Sequence, residues 1–381
     1  MNEPYKLPEG WKWIRLGEVC EFEYGSGLPE RDRVSGSVPV FGSNGFVGYH
    51  NVAITNGSTI IIGRKGSIGQ VNYSESPCWP IDTTYYIDSS KTNCNLIWLY
   101  WLLKFLKLDL LNKATGVPGL NRKDAYNQII PLPPLDDQRR IAAKIHEFMQ
   151  DVERARNACE KQLEAAKALP AAYPREIFES KEAKKWDKKG LGEVCERIIG
   201  GGTPSRGHPE YWGGNIYCLS PSELEEGKLT YVSQTREKIT EEGSRNSNAK
   251  IIPPKSILLT CTASIGKIAI NVVPLTTNQQ FNSFVLKNSM AESEFIAYYL
   301  IYKREEIKQL GGKTTFRFIS KDEIAELPII LPNIDIQHRI ASELKEKMAY
   351  AEKLRTSIEK QLGAINALHQ AILRKAFRGE L

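Results

Sequence analysis

Apolar residues recur at alternating spacings of four and three along two long segments of this chain. The stripe of the first segment consists of Ile141, Ile145, Phe148, Val152, Ala155, Cys159, Gln162, Ala166 and Leu169. The stripe of the second consists of Ile340, Leu344, Lys347, Ala351, Leu354, Ile358, Gln361, Ile365, Leu368 and Ile372. This period is typical of helices that pair through a narrow apolar seam, where a polar residue such as Gln162 or Gln361 selects register or orientation. The alternative is two amphipathic helices packed separately on their own domains, and the match between the stripes disfavours it.

Local signals predict where these helices begin and end. An acidic residue follows a proline at each start, where it caps free amides and complements the helix dipole. The first helix is predicted over 136–169, which is roughly 50 Å at about 1.5 Å per residue. Pro170 and Pro174 should bend or end it because neither has an amide hydrogen. The second helix has no proline in that position and is predicted to continue to about Arg378.

The two helical segments are copies of each other. Residues 136–178 and 335–377 align without a gap at a spacing of 199, and 19 of the 43 aligned positions are identical. Residues 16–21 (LGEVCE) recur as 191–196, and Ser67-Ile68-Gly69 recurs as Ser264-Ile265-Gly266. Self-similarity of this kind indicates two copies of one structural unit. The copies differ most in length within 22–66 and 197–263.

The segments outside the helices predict mixed α/β domains. Short stretches rich in β-branched residues and bounded by Gly and Ser predict strands over 58–63, 70–73, 257–261 and 267–273. The most apolar run, 96–111, and its counterpart, 295–307, predict core helices. The domain organisation that follows is a first globular domain over 1–135, a long helix and linker over 136–184, a second domain over 185–333, and a second long helix over 334–381.

Cysteine use and hydropathy predict a cytoplasmic protein. The seven cysteines are odd in number and show no CxxC spacing, which favours a reducing compartment over a disulfide framework or a zinc site. The polar start of the chain does not resemble a cleavable signal. The apolar run 96–111 contains Lys104, Lys107 and Asp109, so we expect it to lie in a protein core and not in a membrane.

Net charge alone does not indicate a nucleic-acid partner, because the formal value of +6 is spread thinly along the chain. Local groups are more informative, since they combine phosphate anchors with donors and acceptors that can read base edges. In the first domain these candidates are Arg31, Arg33, Ser43, Asn44, Tyr49, Arg64, Lys65, Asn121, Arg122 and Lys123. In the second they are Thr203, Ser205, Arg206, His208, Arg236, Lys238, Lys267, Asn278, Gln279, Gln280, Lys313, Thr314 and Arg317. A solvated surface side chain is the alternative for any one of them, but as sets on glycine-rich loops they favour DNA contact.

Known catalytic motifs are incomplete in this sequence. Gly312-Lys313-Thr314 resembles the end of a phosphate-binding loop, but Ile307 stands where its first glycine belongs. Gly25-Ser26-Gly27 does not complete a dinucleotide fingerprint, because Glu30 replaces the third glycine. The five histidines show no metal-ligand spacing, so no metal site is predicted. We therefore expect no catalysis by this chain alone.

The order of the segments resembles the specificity (S) subunit of type I restriction-modification systems. The most diagnostic stretches are the helix entries Pro133-Pro134-Leu135-Asp136-Asp137-Gln138-Arg139-Arg140-Ile141-Ala142 and Leu331-Pro332-Asn333-Ile334-Asp335-Ile336-Gln337-His338-Arg339-Ile340-Ala341. The glycine-rich loops 200–205, 209–214, 39–45 and 63–67 resemble those of target-recognition domains, and 374–381 resembles the usual end of the family. The resemblance implies two homologous α/β target-recognition domains joined by two long helices in an antiparallel coiled coil, as a pseudo-twofold internal repeat.

The resemblance also implies function and partners. Each domain would read one half of a split double-stranded DNA site, with the helices as a ruler. Two methyltransferase (modification) subunits would bind the chain and methylate adenine, and restriction/translocase subunits would join them to cut unmodified DNA. S-adenosylmethionine, ATP and magnesium would then belong to those partners, with no cofactor in this chain. The unequal stretches predict an asymmetric site. The alternative is a coiled-coil scaffold whose twin domains bind protein.

Overall fold

The computed structural model describes residues 5–111, 119–311 and 318–381. Contacts divide the chain into two compact units, one formed by Met1–Glu160 with Lys360–Leu381 and the other by Lys161–Glu359. Each unit therefore contains a globular part together with a portion of both long helices.

The first unit is a mixed α/β structure. Its elements are β1 (Lys12–Arg15), β2 (Glu23–Tyr24), β3 (Val38–Gly42), β4 (Gly45–His50), β5 (Thr59–Gly63), β6 (Val71–Ser74), β7 (Trp79–Pro80), β8 (Thr84–Asp88), α1 (Leu96–Phe105), α2 (Arg122–Tyr126), β9 (Ile129–Leu132) and the first part of α3 (Leu135–Phe178). The strands form sheets of order β1-β9, β2-β8-β5-β6 and β4-β3-β7. The predicted strands 58–63 and 70–73 correspond to β5 and β6, which pair antiparallel. The predicted helix 96–111 is α1 followed by a 3-10 turn at Leu108–Leu111.

The second unit repeats this plan. After the end of α3 its elements are β10 (Asp187–Gly190), β11 (Cys195–Gly200), β12 (Trp212–Leu219), β13 (Leu229–Val232), β14 (Glu237–Ile239), α4 (Glu241–Arg245), β15 (Ile257–Thr260), β16 (Ile268–Asn271), β17 (Thr276–Thr277), β18 (Phe281–Leu286), α5 (Ser293–Tyr302), α6 (Arg304–Leu310), α7 (Lys321–Ala325), β19 (Pro328–Leu331) and α8 (Ile334–Arg378). The sheets have the orders β10-β19, β11-β18-β15-β16-β13 and β14-β12-β17. The predicted strands 257–261 and 267–273 are β15 and β16, and the predicted helix 295–307 is divided between α5 and α6.

Corresponding sheets show that the duplication extends beyond the helices. The pair β1-β9 corresponds to β10-β19, and in both three-stranded sheets the central strand pairs antiparallel on one side and parallel on the other. The four-stranded sheet of the first unit gains one strand in the second, β13, which pairs parallel to β16. β13 lies within 197–263, the stretch where the second copy is longer.

The two long helices run antiparallel where each unit brings them together. In the first unit, Arg140 near the start of α3 donates to the terminal carbonyl oxygen of Leu381 at 2.8 Å. In the second unit, Lys347 near the start of α8 lies over the ring of Tyr173, with 5.3 Å between the ammonium nitrogen and the ring centroid. The beginning of each helix therefore lies beside the end of the other.

Pro170 and Pro174 were predicted to bend or end α3, and an end at this place is wrong, because the helix continues through both prolines to Phe178. The reason is tertiary packing. Phe178 is 5 % exposed and packs edge-on against Phe295 and Tyr299 of α5, with ring centroids 5.6 and 5.1 Å away. The prediction for α8 is confirmed, since that helix ends at Arg378.

The buried stripe on the helices differs from the predicted seam at several positions. Phe148 is 38 % exposed, whereas Met149 is 7 % exposed and joins the core of the first unit. The helix start packs against its own globular unit, and Met149 takes the buried place that was predicted for Phe148. Ile141, Ile145, Val152, Ile340, Leu344 and Ile358 are buried, Leu169, Leu354 and Ile365 are half-buried, and Gln162, Gln361 and Leu368 are exposed. Both glutamines thus face water, which argues against a role in setting helix register.

A buried glutamine attaches each helix to its globular unit. Gln138 donates to the carbonyl oxygen of Pro133 at 2.9 Å and accepts from the backbone N–H of Asn95, the N-cap of α1, at 2.8 Å. Its counterpart Gln337 donates to Pro332 at 2.8 Å and accepts from the N-cap of α5, Glu292, at 2.9 Å. These bonds explain why the repeat retains glutamine at this position.

Candidate nucleic-acid interface

An arginine–tyrosine cluster lies where β2 and α2 meet in the first unit. Tyr24 is 47 % exposed, and its ring centroid is 5.1 Å from that of Tyr85. The guanidinium carbon atoms of Arg64 and Arg122 are 5.3 and 5.1 Å from the centre of the Tyr24 ring. Two cations therefore lie against one exposed ring, an arrangement that cation–π attraction stabilises. We refer to Tyr24, Arg64, Tyr85 and Arg122 as the Tyr24 cluster.

Backbone carbonyl groups hold both arginines of the Tyr24 cluster. Arg64 donates twice to the carbonyl oxygen of Asp82, at 3.2 Å from Nε and 2.6 Å from Nη2. Arg122 donates from Nη1 to the carbonyl oxygen of Phe22 at 3.1 Å. Among the described residues, neither guanidinium forms an ion pair with a carboxylate. Carbonyl groups position a cation without neutralising it, so both charges remain available for a phosphate or a guanine edge.

Burial of Tyr85 stabilises the base of the same cluster. This tyrosine is 3 % exposed, and its hydroxyl donates to the carbonyl oxygen of Leu120 at 3.1 Å. Burial raises the pKa of Tyr85 to about 12, so the hydroxyl remains a neutral donor at physiological pH. The cluster thus has one buried ring, Tyr85, and one exposed ring, Tyr24.

Three other predicted residues lie on this surface. Lys65 and Gly119 form an isolated β-bridge, and the backbone N–H of Leu120 donates to the carbonyl oxygen of Arg64 at 2.9 Å. Asn121 caps α2 by accepting from the backbone N–H of Lys123 at 2.9 Å. The structure therefore brings the predicted groups at 64–65 and 121–123 together, although they are far apart in sequence.

The β3–β4 hairpin carries the predicted residues Ser43, Asn44 and Tyr49. Ser43 and Asn44 form its two-residue turn, and Asn44 accepts from the Ser67 hydroxyl at 3.4 Å. Tyr49 is 56 % exposed. The hairpin tip thus adjoins the loop that carries Arg64 and Lys65.

The two arginines before the hairpin differ in role. Arg33 donates to the carbonyl oxygen of Val47 at 2.7 Å and is half-buried, so it supports the hairpin from behind. Arg31 has a side chain that is 85 % exposed and lies 3.7 Å from Asp32. Only Arg31 projects into solvent.

A different arginine–aromatic group lies in the second unit. Arg206 stacks over Trp212 at 3.7 Å from guanidinium carbon to ring centroid and forms a 2.7 Å ion pair with Glu237. The hydrogen bond from Arg206 lowers the pKa of the Glu237 carboxyl, which therefore stays charged. The ion pair neutralises Arg206, in contrast to the arginines of the Tyr24 cluster.

Three predicted amides of the second unit form a polar cluster with Thr203. Asn278 donates to the side-chain oxygen of Gln280 at 3.0 Å and accepts from its backbone N–H at 3.1 Å. Thr203 donates to the side-chain oxygen of Gln279, which is exposed. Gln279 is therefore the amide of this group that faces solvent most directly.

Four other predicted residues of the second unit lie on two loops and one strand. His208 hydrogen-bonds Glu210 at 2.8 Å, and the carbonyl of Ser205 accepts from the Trp212 ring nitrogen at 3.2 Å. Lys238 lies over the Tyr217 ring at 4.7 Å. Arg236 is exposed.

Lys267 is bound to backbone carbonyl groups of its own unit. Its ammonium group donates to the carbonyl oxygens of Pro221 and Leu224 at 2.9 and 2.8 Å. Lys267 therefore holds a turn of its own unit. Lys313, Thr314 and Arg317, the remaining predicted residues, lie outside the described part of the chain.

Comparison of the copies identifies Lys321, which sequence reasoning missed. At the offsets of the repeat, Arg122 corresponds to Lys321 and Arg64 to Cys261. The strand register places Gly200 where the first unit has Tyr24, because Gly200 pairs with Asn282 as Tyr24 pairs with Tyr85. The ammonium end of Lys321 covers Gly200 so closely that a Cβ there would meet its Cε at 2.8 Å. The offset of 199 could have found this lysine. The second unit keeps one cation at this place and loses the tyrosine and the other arginine.

Within 5–111, 119–311 and 318–381, no group of three or more His, Cys, Asp or Glu side chains could hold a metal ion. None of the described helices has the length and apolar character needed to cross a membrane.

The chain has a duplicated α/β unit and two long helices, and each copy carries a different cation–aromatic surface. This combination defines a class of two-domain recognition proteins. Residues 8–165 and 183–363 match the family model "Type I restriction modification DNA specificity domain". The chain therefore belongs to this family, as the resemblance predicted.

Individual relatives and solved structures agree with this assignment. The chain is 22 % identical to the type I restriction enzyme EcoDI specificity subunit of Escherichia coli over 99 % of this chain and 90 % of that protein. It is 36 % identical to the MjaIX specificity subunit of Methanocaldococcus jannaschii, in a match that spans 42 % of this chain and only 37 % of that relative.

Two solved structures share the fold. One belongs to a structure of the type I R-M system described for its complex assembly and conformational transition, with 24 % identity, a TM-score of 0.76 and coverage of 99 % of this chain and 100 % of that chain. The other is the HsdS subunit of Thermoanaerobacter tengcongensis, with 23 % identity, a TM-score of 0.67 and coverage of 99 % of both chains. At these identities the likeness shows the fold alone.

Proposed function

We propose that this chain selects the DNA site on which a type I restriction-modification complex acts, with one half-site bound by each unit. The observation that carries the proposal is the Tyr24 cluster, whose two arginines have no carboxylate partner among the described residues and adjoin an exposed ring. Unpaired cations beside donors, acceptors and rings suit the phosphates and base edges of a duplex. Family membership over both copies supports the same assignment.

The half-sites differ in sequence. The copies diverge most within 22–66 and 197–263, and the Tyr24 cluster has no complete equivalent in the second unit. Two surfaces of different chemistry recognise different bases, so the complete site is asymmetric. The centres of the half-sites are near one helical turn apart, roughly 10 base pairs. The long helices act as the ruler that fixes this distance.

The chemistry belongs to partner subunits. Two modification subunits bind the repeated parts of the chain and methylate an adenine in each half-site, and restriction/translocase subunits join them to cut unmodified DNA. S-adenosylmethionine, ATP and magnesium are bound by those subunits. This chain positions the partners on the duplex and catalyses no step.

DNA binding by the full chain, assembled with its modification subunits, tests the proposal. We expect binding to duplexes that contain the host methylation motif, with an affinity that falls as salt rises because phosphate contacts release counterions. A duplex with a scrambled motif is the control and should bind more weakly by a factor of about 10³ or more. Absence of binding even at low salt would instead favour the scaffold with twin protein-binding domains.

A further inference from the structure

The β3–β4 hairpin of the first unit has an aromatic outer face. Its register places Pro39 opposite Tyr49, Val40 opposite Gly48 and Phe41 opposite Phe46. The extra residue between these pairs, Val47, forms a β-bulge, which brings Phe46 and Tyr49 to the same face. Val40 points the other way and is fully buried. The outer face therefore consists of Pro39, Phe41, Phe46 and Tyr49.

These rings pack on one another and still remain in water. The Phe46 centroid is 4.9 Å from that of Tyr49 and 6.2 Å from that of Phe41, both in edge-on arrangements. Phe46 and Tyr49 are 53 % and 56 % exposed, and Val47 is 40 % exposed. A cluster of exposed apolar groups on one hairpin marks a surface that contacts something else.

The aromatic face is continuous with the cationic surface of the same unit. The hairpin turn contacts the loop after β5, since Gln70 donates to the carbonyl oxygen of Asn44 at 3.5 Å, and that loop carries Arg64. Arg33 anchors the bulge through its bond to the carbonyl oxygen of Val47. A partner that covers the rings therefore also meets the positive charge of the Tyr24 cluster, which suits a nucleic acid.

The position of the hairpin in the repeat argues against a protein partner common to both units. It lies within 22–66, where the copies diverge. In the second unit the corresponding strands β12 and β14 pair Tyr217 with Lys238 and Cys218 with Glu237, so charged residues stand there. A subunit that binds both copies alike would need matching residues in the two places.

We propose that the outer face of the β3–β4 hairpin enters the major groove and reads thymine through its C5-methyl group. The major groove admits a two-stranded β-ribbon, and thymine is the base that presents a methyl group there, which packs against apolar side chains such as Phe. Phe46 and Tyr49 are the residues that touch it. This inference rests on the proposed function and adds a base identity: the half-site of the first unit contains at least one thymine at a read position.

Replacement of thymine by deoxyuridine tests the proposal, because only the methyl group is lost. The full chain with its modification subunits is titrated with duplexes of the mapped motif in which each thymine, in either strand, is replaced in turn. We expect replacement at a position in one half-site to weaken binding about fourfold, the value for one buried methyl group. In the Phe46→Ala, Tyr49→Ala double variant, the same replacement should change affinity less than twofold. Val272→Ala, which truncates a 48 % exposed side chain of the second unit, is the control and should keep the fourfold effect.

Two results would overturn the inference while leaving the proposed function intact. These are specific binding that no deoxyuridine replacement weakens, and an undiminished deoxyuridine effect in the double variant. Normal DNA affinity of the double variant combined with failed assembly with the modification subunits would make the hairpin a protein-docking site. Absence of any motif-specific binding would instead refute the proposed function.

Discussion

Removal of the two arginines of the Tyr24 cluster should reduce the salt dependence of DNA binding. Arg64 and Arg122 lie 5.3 and 5.1 Å from the Tyr24 ring centre, and backbone carbonyls fix both. If each guanidinium contacts one phosphate, the Arg64→Ala, Arg122→Ala variant loses two contacts. Each contact contributes about 0.9 to the slope of log affinity against log salt, so the slope should fall in magnitude by about 1.8.

The same relation gives the loss of affinity. Extrapolated from 1 M to 0.15 M salt, one phosphate contact corresponds to a factor of about 5, so the double variant should bind about 25-fold more weakly at 0.15 M. The loss should nearly disappear towards 1 M salt. If one arginine reads a base instead, the loss should persist at high salt and the preference at one motif position should relax.

The slope is measured by fluorescence anisotropy of the assembled complex with a labelled duplex. Salt is varied over about an eightfold range, from 0.05 to 0.4 M. Arg154→Ala is the matched control, since this arginine is exposed on α3 and pairs with Asp151, so its slope should equal that of the unmodified chain. An unchanged slope together with an unchanged affinity in the double variant would refute the assignment of the Tyr24 cluster to the DNA surface.

Three further predictions follow from named contacts. Gln138→Leu leaves the N–H of Asn95 and the carbonyl of Pro133 without their 2.8 and 2.9 Å partners. Thermal unfolding should therefore show that the free energy of unfolding falls by about 2–4 kcal/mol. Exposed Gln162→Leu should be nearly neutral, and equal losses in the two variants would contradict the role of Gln138. Burial raises the pKa of the Cys20 and Cys195 thiols to about 12. Because the reactive thiolate forms only as pH approaches that value, alkylation at pH 8, followed by mass spectrometry, should be slow in the native chain and fast after unfolding. Rapid labelling of the native chain would show that the thiols are accessible. Deletion of one heptad from both α3 and α8 shortens each helix by about 10 Å. Methylation mapping should therefore find unchanged half-sites and a spacer about three base pairs shorter. An unchanged spacer would refute the claim that the helices set the distance between the half-sites.

Periodicity and duplication predicted most of the architecture. The strands β5, β6, β15 and β16 and the long helix α8 follow from local pattern, because β-branched runs and a sustained apolar stripe reflect burial directly. The end of α3 was not predictable in this way. Pro170 and Pro174 disfavour a helix locally, and contacts of Phe178 with α5, more than a hundred residues away in sequence, outweigh them.

The site was predictable in composition and less so in geometry. Arg64 and Arg122 could be selected as cations in local polar groups, but their meeting at Tyr24 depends on β2, β8 and α2 coming together in space. Lys267 has the same sequence signature as a DNA-binding lysine, and only its two carbonyl partners show its structural role. Phe46 was missed because an isolated aromatic residue in a strand usually indicates core, and the β-bulge that turns it outward has no clear signal in sequence.

Methylome sequencing of a strain that carries this chain with its modification subunits tests the central claim most directly. The account predicts methylated adenines in a split motif with two different half-sites, separated by a spacer of unspecified bases and centred roughly 10 base pairs apart. In a strain with the Arg64→Ala, Arg122→Ala variant, methylation of that motif should decline. A palindromic or continuous motif, or methylation that does not depend on this chain, would contradict the claim that each unit reads its own half of the site.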